Sequence, residues 1–186
     1  MANSLGVFLG ELIRRPTQVV ALAPSSTALA REMAVMVPEG PGAVVELGPG
    51  TGKITTALLE AGVPAQDLHL FELNPVFVDL LRQDFPDVNV RQDRAENARD
   101  YVEGSVKAVV SGLPLLSMPF EVQRAIVGGA FDLMGPEGRY IQFTYGPKPP
   151  VTERLRGELG LTWTKSRKIW GNLPPARVYT FTRSGN

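Results

Sequence analysis

The sequence predicts an α/β fold, a Rossmann-like doubly wound sheet of seven strands, mostly parallel with an antiparallel last strand, preceded by N-terminal amphipathic helices. Three observations predict it. Short apolar runs alternate with helical periodicity from Ala43 onward, as a parallel sheet covered by helices requires. The turn "GPGTG" joins the first run to a helix, where such sheets build a ligand crevice. Two β-like runs close the chain, "LTWTKSRKIW" and "ARVYTFTR", and the short link "GNLPP" makes them an antiparallel pair.

Each element has its own signal. "LGVFLGELIRR" puts Leu5, Phe8, Leu9, Leu12 and Ile13 on one helical face, and Pro16 stops it. "TQVVALAPSS" is a loop, and Ser26 caps a helix to about Met36. "AVVEL" is strand one; the following helix turns Ile54, Ala57, Leu58 and Ala61 inward. "LHLFEL" is strand two. Asn74 and Pro75 are cap and first residue of a helix holding Phe77, Leu80 and Leu81. "VNVRQ" and "VKAVVSGL" are strands three and four. "FEVQRAIVGGAFDLM" is a helix ended by the turn "GPEG", and "RYIQFTY" is strand five. A short helix near Thr152–Glu158 leads to the final pair, on whose edge Trp163 and Trp170 pack.

At 186 residues the chain is one domain, 1–186, able to bury a core. It contains no cysteine and one histidine, so disulfides, thiolate catalysis and a multi-histidine metal centre are excluded, and no metal is expected. His69 lies within strand two, before its ligand end, and reads as structural. No apolar run reaches a membrane span, and no secretion signal opens the chain. The zero net charge is uneven: from Arg139 to the end, nine Lys or Arg face only Glu153 and Glu158. That basic C-terminal segment suits an anionic partner.

The glycine turn discriminates between ligands. A P-loop needs G-x-x-x-x-G-K-[ST], but Ile54 follows Lys53 and Leu47 stands at the first glycine. A dinucleotide turn fails because Lys53 occupies its third glycine. What remains is E-x-G-x-G-x-G: Glu46, Gly48, Gly50, Gly52. S-adenosylmethionine fits this better. It carries no phosphate, so Pro49 removes a donor without loss, and glycines admit close backbone approach. Glu46 can meet the donor's ammonium, directly or through water. Glu72, with Leu73 beside it, ends strand two where a carboxylate takes both ribose hydroxyls. Asp93 ends strand three near the adenine amino group, with Arg94 and Ala95 at the ring edge.

The stretches "APSSTALAREM", "VVELGPGTGKIT", "FELNP", "SGLPLLSMP", "IQFTYGPKPP" and "IWGNLPPARVYTF" resemble the bacterial phosphatidylethanolamine N-methyltransferases, a phospholipid-modifying branch of the class I methyltransferases, over nearly the whole chain from Leu5. The resemblance implies phospholipid biosynthesis, with successive methylation of the lipid amine toward phosphatidylcholine. It also implies a cytoplasmic enzyme held peripherally on the inner face of the cell membrane.

The residues bear on that implication. Methyl transfer needs a neutral amine. A lysine-like ammonium titrates near ~10.4, so exposing its lone pair costs about 4 kcal/mol at neutral pH. Desolvation and a nearby positive sulfonium lower that cost, and no strong base is needed. Where adenine N-methyltransferases carry an N-P-P-Y type turn, this chain reads Ser111-Gly112-Leu113-Pro114-Leu115, without the stacking aromatic. Ser111 would offer its carbonyl or hydroxyl to the amine. Tyr145, ending strand five, is the second contact, its ring face tolerating a methylated cation. Residues 1–37 form the lead-in: an apolar stripe flanked by Arg14 and Arg15 suits an anionic membrane interface or packs on the core, and the loop carrying Ser25 and Ser26 can close over the donor. Nucleic acid is not expected as a partner. Methylation of RNA or protein amines, or donor binding without catalysis, remain the rival readings.

Overall fold

The computed structural model describes residues 26–172 and 174–184. Its centre is a seven-stranded sheet in the order β3-β2-β1-β4-β5-β7-β6. The strands are β1 (Ala43–Leu47), β2 (Leu68–Phe71), β3 (Asn89–Arg91), β4 (Val106–Ser111), β5 (Met134–Thr144), β6 (Leu161–Lys165) and β7 (Arg177–Arg183). The first five run parallel, and β7 is antiparallel to both β5 and β6. The order reverses between β1 and β4, which opens a crevice at their carboxyl ends.

Among the described residues five helices cover the sheet: α1 (Thr27–Val35), α2 (Lys53–Glu60), α3 (Pro75–Asp84), α4 (Phe120–Leu133) and α5 (Glu153–Leu159). Strand alternation divides the core in two. Val44, Leu68, Leu70, Ala108 and Val110 face α1, α2 and α3 through Leu29, Met33, Leu58 and Leu81. Val45, Leu47, Val109, Tyr140 and Phe181 face α4 and α5 through Val122, Ile126, Phe131 and Leu155.

The expected caps are present: Ser26 Oγ accepts from the Leu29 N–H and Asn74 Oδ1 from the Val76 N–H; the structure adds a third, Thr152 Oγ1 accepting from the Leu155 N–H. Three local expectations change. Ala61 is the C-cap of α2 and is exposed, because that helix ends at Glu60. In α3 the fully buried positions are Val78 and Leu81, while Phe77 and Leu80 are half-buried. "GPEG" interrupts β5 instead of preceding it: Val106 pairs with Met134 and Ala108 with Arg139, so Gly135–Gly138 bulge out of register.

Residues 1–25 lie outside the described residues. The expectations for the first amphipathic helix and for Ser25 therefore fall outside them too.

Candidate active site

The turn after β1 is held open by backbone geometry. Gly48 has φ 68° and Gly50 φ 56°, a region that costs other residues about 1–2 kcal/mol. A Cβ on Gly48 would stand 2.5 Å from Leu113 Cδ2, so this turn and the turn after β4 touch. Around a Cβ on Gly50 no described atom lies within 4 Å. Replacing Gly48 by alanine is expected to destabilise the fold by about 1–2 kcal/mol, lowering Tm by about 2–4 °C per kcal/mol for a chain of this size. Thermal unfolding of the variant checks this, and an unchanged Tm would refute the left-handed turn.

Glu46 sits at the middle of the sheet, fully buried on the α2 side. Its Oε2 accepts from Thr55 Oγ1 at 2.7 Å, while its Oε1 has no partner among the described residues. Burial pushes the carboxyl up to about 8; the Thr55 hydroxyl opposes that, and the charge of Glu72 adds to it. A buried carboxylate oxygen without a donor is costly unless a cation meets it. This orphaned atom fits the ammonium of S-adenosylmethionine, and it is the structural test that the cofactor passes.

Glu72 is tied to the same turn. Its Oε1 accepts from the Leu73 and Asn74 N–H groups at 2.8 and 2.9 Å, and its Oε2 from the Gly50 N–H at 3.1 Å. These bonds orient the carboxylate toward the glycine turn and leave acceptor capacity for hydroxyls.

Asp93 is more heavily engaged than the sequence suggests. Oδ1 accepts from the Arg94 N–H at 2.7 Å and Asn97 Nδ2 at 2.8 Å, and Oδ2 from the Tyr101 hydroxyl at 2.5 Å. The Tyr101 bond leads in holding its carboxyl below the usual range. Ala95 opens the 3-10 turn Ala95–Asp100 that carries Asn97 toward Asp93. The Tyr101 ring lies 5.9 Å from that of Phe71, with Arg91 over it at 5.5 Å. Tyr101 escaped the sequence reading because it stands in a loop without periodicity.

Ser111 is fully buried at the end of β4, beside Leu47 and Gln142. Its hydroxyl accepts from the Leu113 N–H at 3.3 Å and also meets Tyr140. Tyr140 donates to Gln142 Oε1 at 3.1 Å, and Gln142 Nε2 donates to the Leu113 carbonyl at 2.8 Å. This closed network fixes the Ser111–Leu115 turn and occupies the hydroxyl, leaving the backbone as what Ser111 can offer. Tyr145 is half-buried, its ring 5.4 Å from that of Phe143, and burial raises its hydroxyl above the ordinary range.

Asn172 was missed as a site residue, although it lies in the quoted stretch "IWGNLPPA". It is 1% exposed. Its Oδ1 accepts from the Ser26 N–H at 2.8 Å, its Nδ2 donates to the Pro174 carbonyl at 2.8 Å, and its side chain hydrogen-bonds Tyr145. It thus joins the start of α1 to the end of β5. His69 is half-buried within β2, its imidazole pushed toward neutrality by burial and by Arg91.

A scan against protein-family models finds no match. The chain is 34% identical to an ornithine lipid N-methyltransferase from Singulisphaera acidiphila, over 93% of each chain. Among solved structures it is similar to a TehB-like S-adenosylmethionine-dependent methyltransferase from Corynebacterium glutamicum (TM-score 0.64, 17% identity, 96% of this chain and 100% of that one). It is also similar to the glycopeptide N-methyltransferase MtfA in complex with S-adenosylmethionine (TM-score 0.67, 14% identity, 87% and 88%). With the sheet order, the orphaned carboxylate and a relative aligned almost end to end, the chain belongs to the lipid N-methyltransferase family of class I S-adenosylmethionine-dependent enzymes.

Proposed function

We propose that this enzyme methylates the amine of phosphatidylethanolamine, and then its mono- and dimethylated products, toward phosphatidylcholine at an anionic membrane surface. Glu46 holds the donor's ammonium, Gly48 and Gly50 admit its backbone, and Glu72 with Leu73 takes the ribose. Asp93, Arg94 and Ala95 line the adenine, and Ser26 stands where the lead-in reaches the donor side. When bound, S-adenosylmethionine supplies an electrophilic methyl on a positively charged sulfur.

The chain's own residues position the amine. The turn after β4 is the observation that carries the reading: it presents Leu113, Pro114 and Leu115, with no aromatic to stack on a base and no side-chain amide. With the Ser111 hydroxyl closed into its network, an incoming amine meets backbone carbonyls there, which accept from the N–H groups that each methylation state retains. Tyr145 closes the other side with its ring. Half-burial of this wall lowers the cost of deprotonating the amine. Lys148, Arg167, Lys168 and Arg177 supply positive charge for a headgroup phosphate. Among the described residues no helix is long and apolar enough to cross a membrane. Attachment in this reading is peripheral, at the inner membrane face.

A second reading, methylation of the free amine of an ornithine-type lipid, is favoured by the 34% identical relative. Labelled donor offered in parallel to vesicles of phosphatidylethanolamine, vesicles of ornithine lipid, RNA and a protein extract separates them. Label in phosphatidylethanolamine is the expected result. Label in ornithine lipid alone transfers the assignment to that lipid, and label in RNA or protein alone overturns the lipid reading.

A further inference from the structure

The link between β6 and β7 does not bury its tryptophan. Trp163, on β6, packs against the sheet edge: its ring lies 5.4 Å from Tyr179, with Arg156 at 5.9 Å and Lys165 at 5.7 Å. Trp170, expected to pack likewise, is 74% exposed, and its ring partner is the Lys168 ammonium at 4.4 Å. Arg167 and Lys168 beside it are exposed. An indole presented to water over a lysine ammonium is unfavourable as a finished surface and suited to the boundary between headgroups and acyl chains.

The backbone beneath this patch is fixed. Ile169 and Ala176 exchange both hydrogen bonds, at 2.8 and 3.2 Å, immediately before Trp170. Two residues after it, Asn172 is buried against Ser26 and Tyr145. Gly171 packs close to α1: a Cβ there would touch the Ala28 methyl at 3.6 Å. Trp170 therefore stands on a rigid stem rooted in the wall of the site, on the same chain segment as the residue bonded to Tyr145.

We propose that Trp170, with Arg167 and Lys168, is a docking surface for an anionic lipid bilayer, the indole entering the interface and the cations meeting anionic headgroups. The inference rests on the lipid reading and adds to it the surface by which the site is seated. Charge complementarity selects the occupant: Lys168 lies over the indole, exposed Arg167 precedes it in the chain, and from Arg139 to the end nine basic side chains face two acidic ones. Seating the stem at the interface would bring Tyr145 toward the headgroup layer through Asn172.

The chain holds only two tryptophans, so Trp163→Phe leaves Trp170 as sole reporter in the full-length protein. With vesicles of equimolar phosphatidylglycerol and phosphatidylcholine, its emission is expected to shift to the blue and to be quenched by bromine-labelled acyl chains. Trp170→Ala is expected to weaken partition onto these vesicles by about tenfold, and Lys168→Glu to weaken it by a smaller factor that high salt abolishes. Donor affinity measured by calorimetry, and Tm, should be unchanged in Trp170→Ala, which separates a lost anchor from a damaged fold. Vesicle binding with unshifted Trp170 emission, no vesicle binding by the wild type, or wild-type partition in Trp170→Ala would each overturn the proposal. A lipid-independent blue shift that grows with protein concentration would do so too, assigning the patch to a second copy of the chain. None of these readouts uses a methyl acceptor, so phosphatidylethanolamine can fail as substrate while the anchor stands, and the reverse.

Discussion

Replacing Glu46 with glutamine is expected to stabilise the donor-free protein and weaken donor binding at the same time. The sign follows from linkage. The native carboxyl is pushed up to about 8 from an ordinary value of 4.5, so between those pH values the folded chain keeps a proton that the unfolded chain has lost. Wild-type stability from this group is full below the unfolded value and falls as pH rises to about 8, with a ceiling of about 5 kcal/mol. Glutamine matches the protonated carboxyl in shape, can still accept from Thr55, and carries no such penalty. The difference in Tm between variant and wild type should therefore grow from pH 5 to pH 8. Donor affinity should move the other way, by about 10–100-fold at pH 8, for loss of one charged hydrogen bond. Because pairing with an ammonium needs the ionised form, donor binding by the wild type at pH 7 should release a proton. Calorimetry in buffers of different ionisation heat reads that proton directly. A wild type that releases none, with a variant of equal affinity, would remove Glu46 from the donor site.

Replacing Glu72 with alanine is expected to cost donor affinity more than any other single change, by over about 100-fold. Two vicinal hydroxyls on one carboxylate contribute about 1.5–3 kcal/mol each. The carboxylate also accepts from Gly50, Leu73 and Asn74, so its loss slackens the turn on which the donor lies. These N–H groups are only partly buried, and water replaces most of their lost partner, so the stability cost should stay within about 1–3 kcal/mol. Binding of S-adenosylhomocysteine and of its analogue lacking the 2′-hydroxyl tests the role. The analogue should bind the wild type more weakly than the parent compound does, and the variant should not distinguish the two. Discrimination retained in the variant would place the ribose elsewhere.

Much of the fold was legible because its signals are local. The alternation of β1 through β5, the Ser26 and Asn74 caps and the antiparallel final pair each rest on neighbouring residues. The acids at three successive strand ends were legible for the same reason, since strand direction alone puts Glu46, Glu72 and Asp93 at one edge. What escaped depends on distant partners. Nothing near Asn172 announces a bond to Ser26, 146 positions away, and nothing near Ser111 announces that Tyr140 meets its hydroxyl. Ala61 was misplaced because periodicity does not say where a helix stops, and Trp170 because exposure is decided by what packs above a strand edge.

The contact between the two glycine-bearing turns has an evolutionary consequence. A Cβ on Gly112 would lie 2.8 Å from the Gly48 carbonyl, as one on Gly48 would strike Leu113. Selection for a bulkier or differently shaped acceptor wall at 112 or 113 would deform the neighbouring cradle before it altered preference. New acceptors should therefore arise through changes farther out, around Tyr145 and the final hairpin, while these two loops are inherited as a unit.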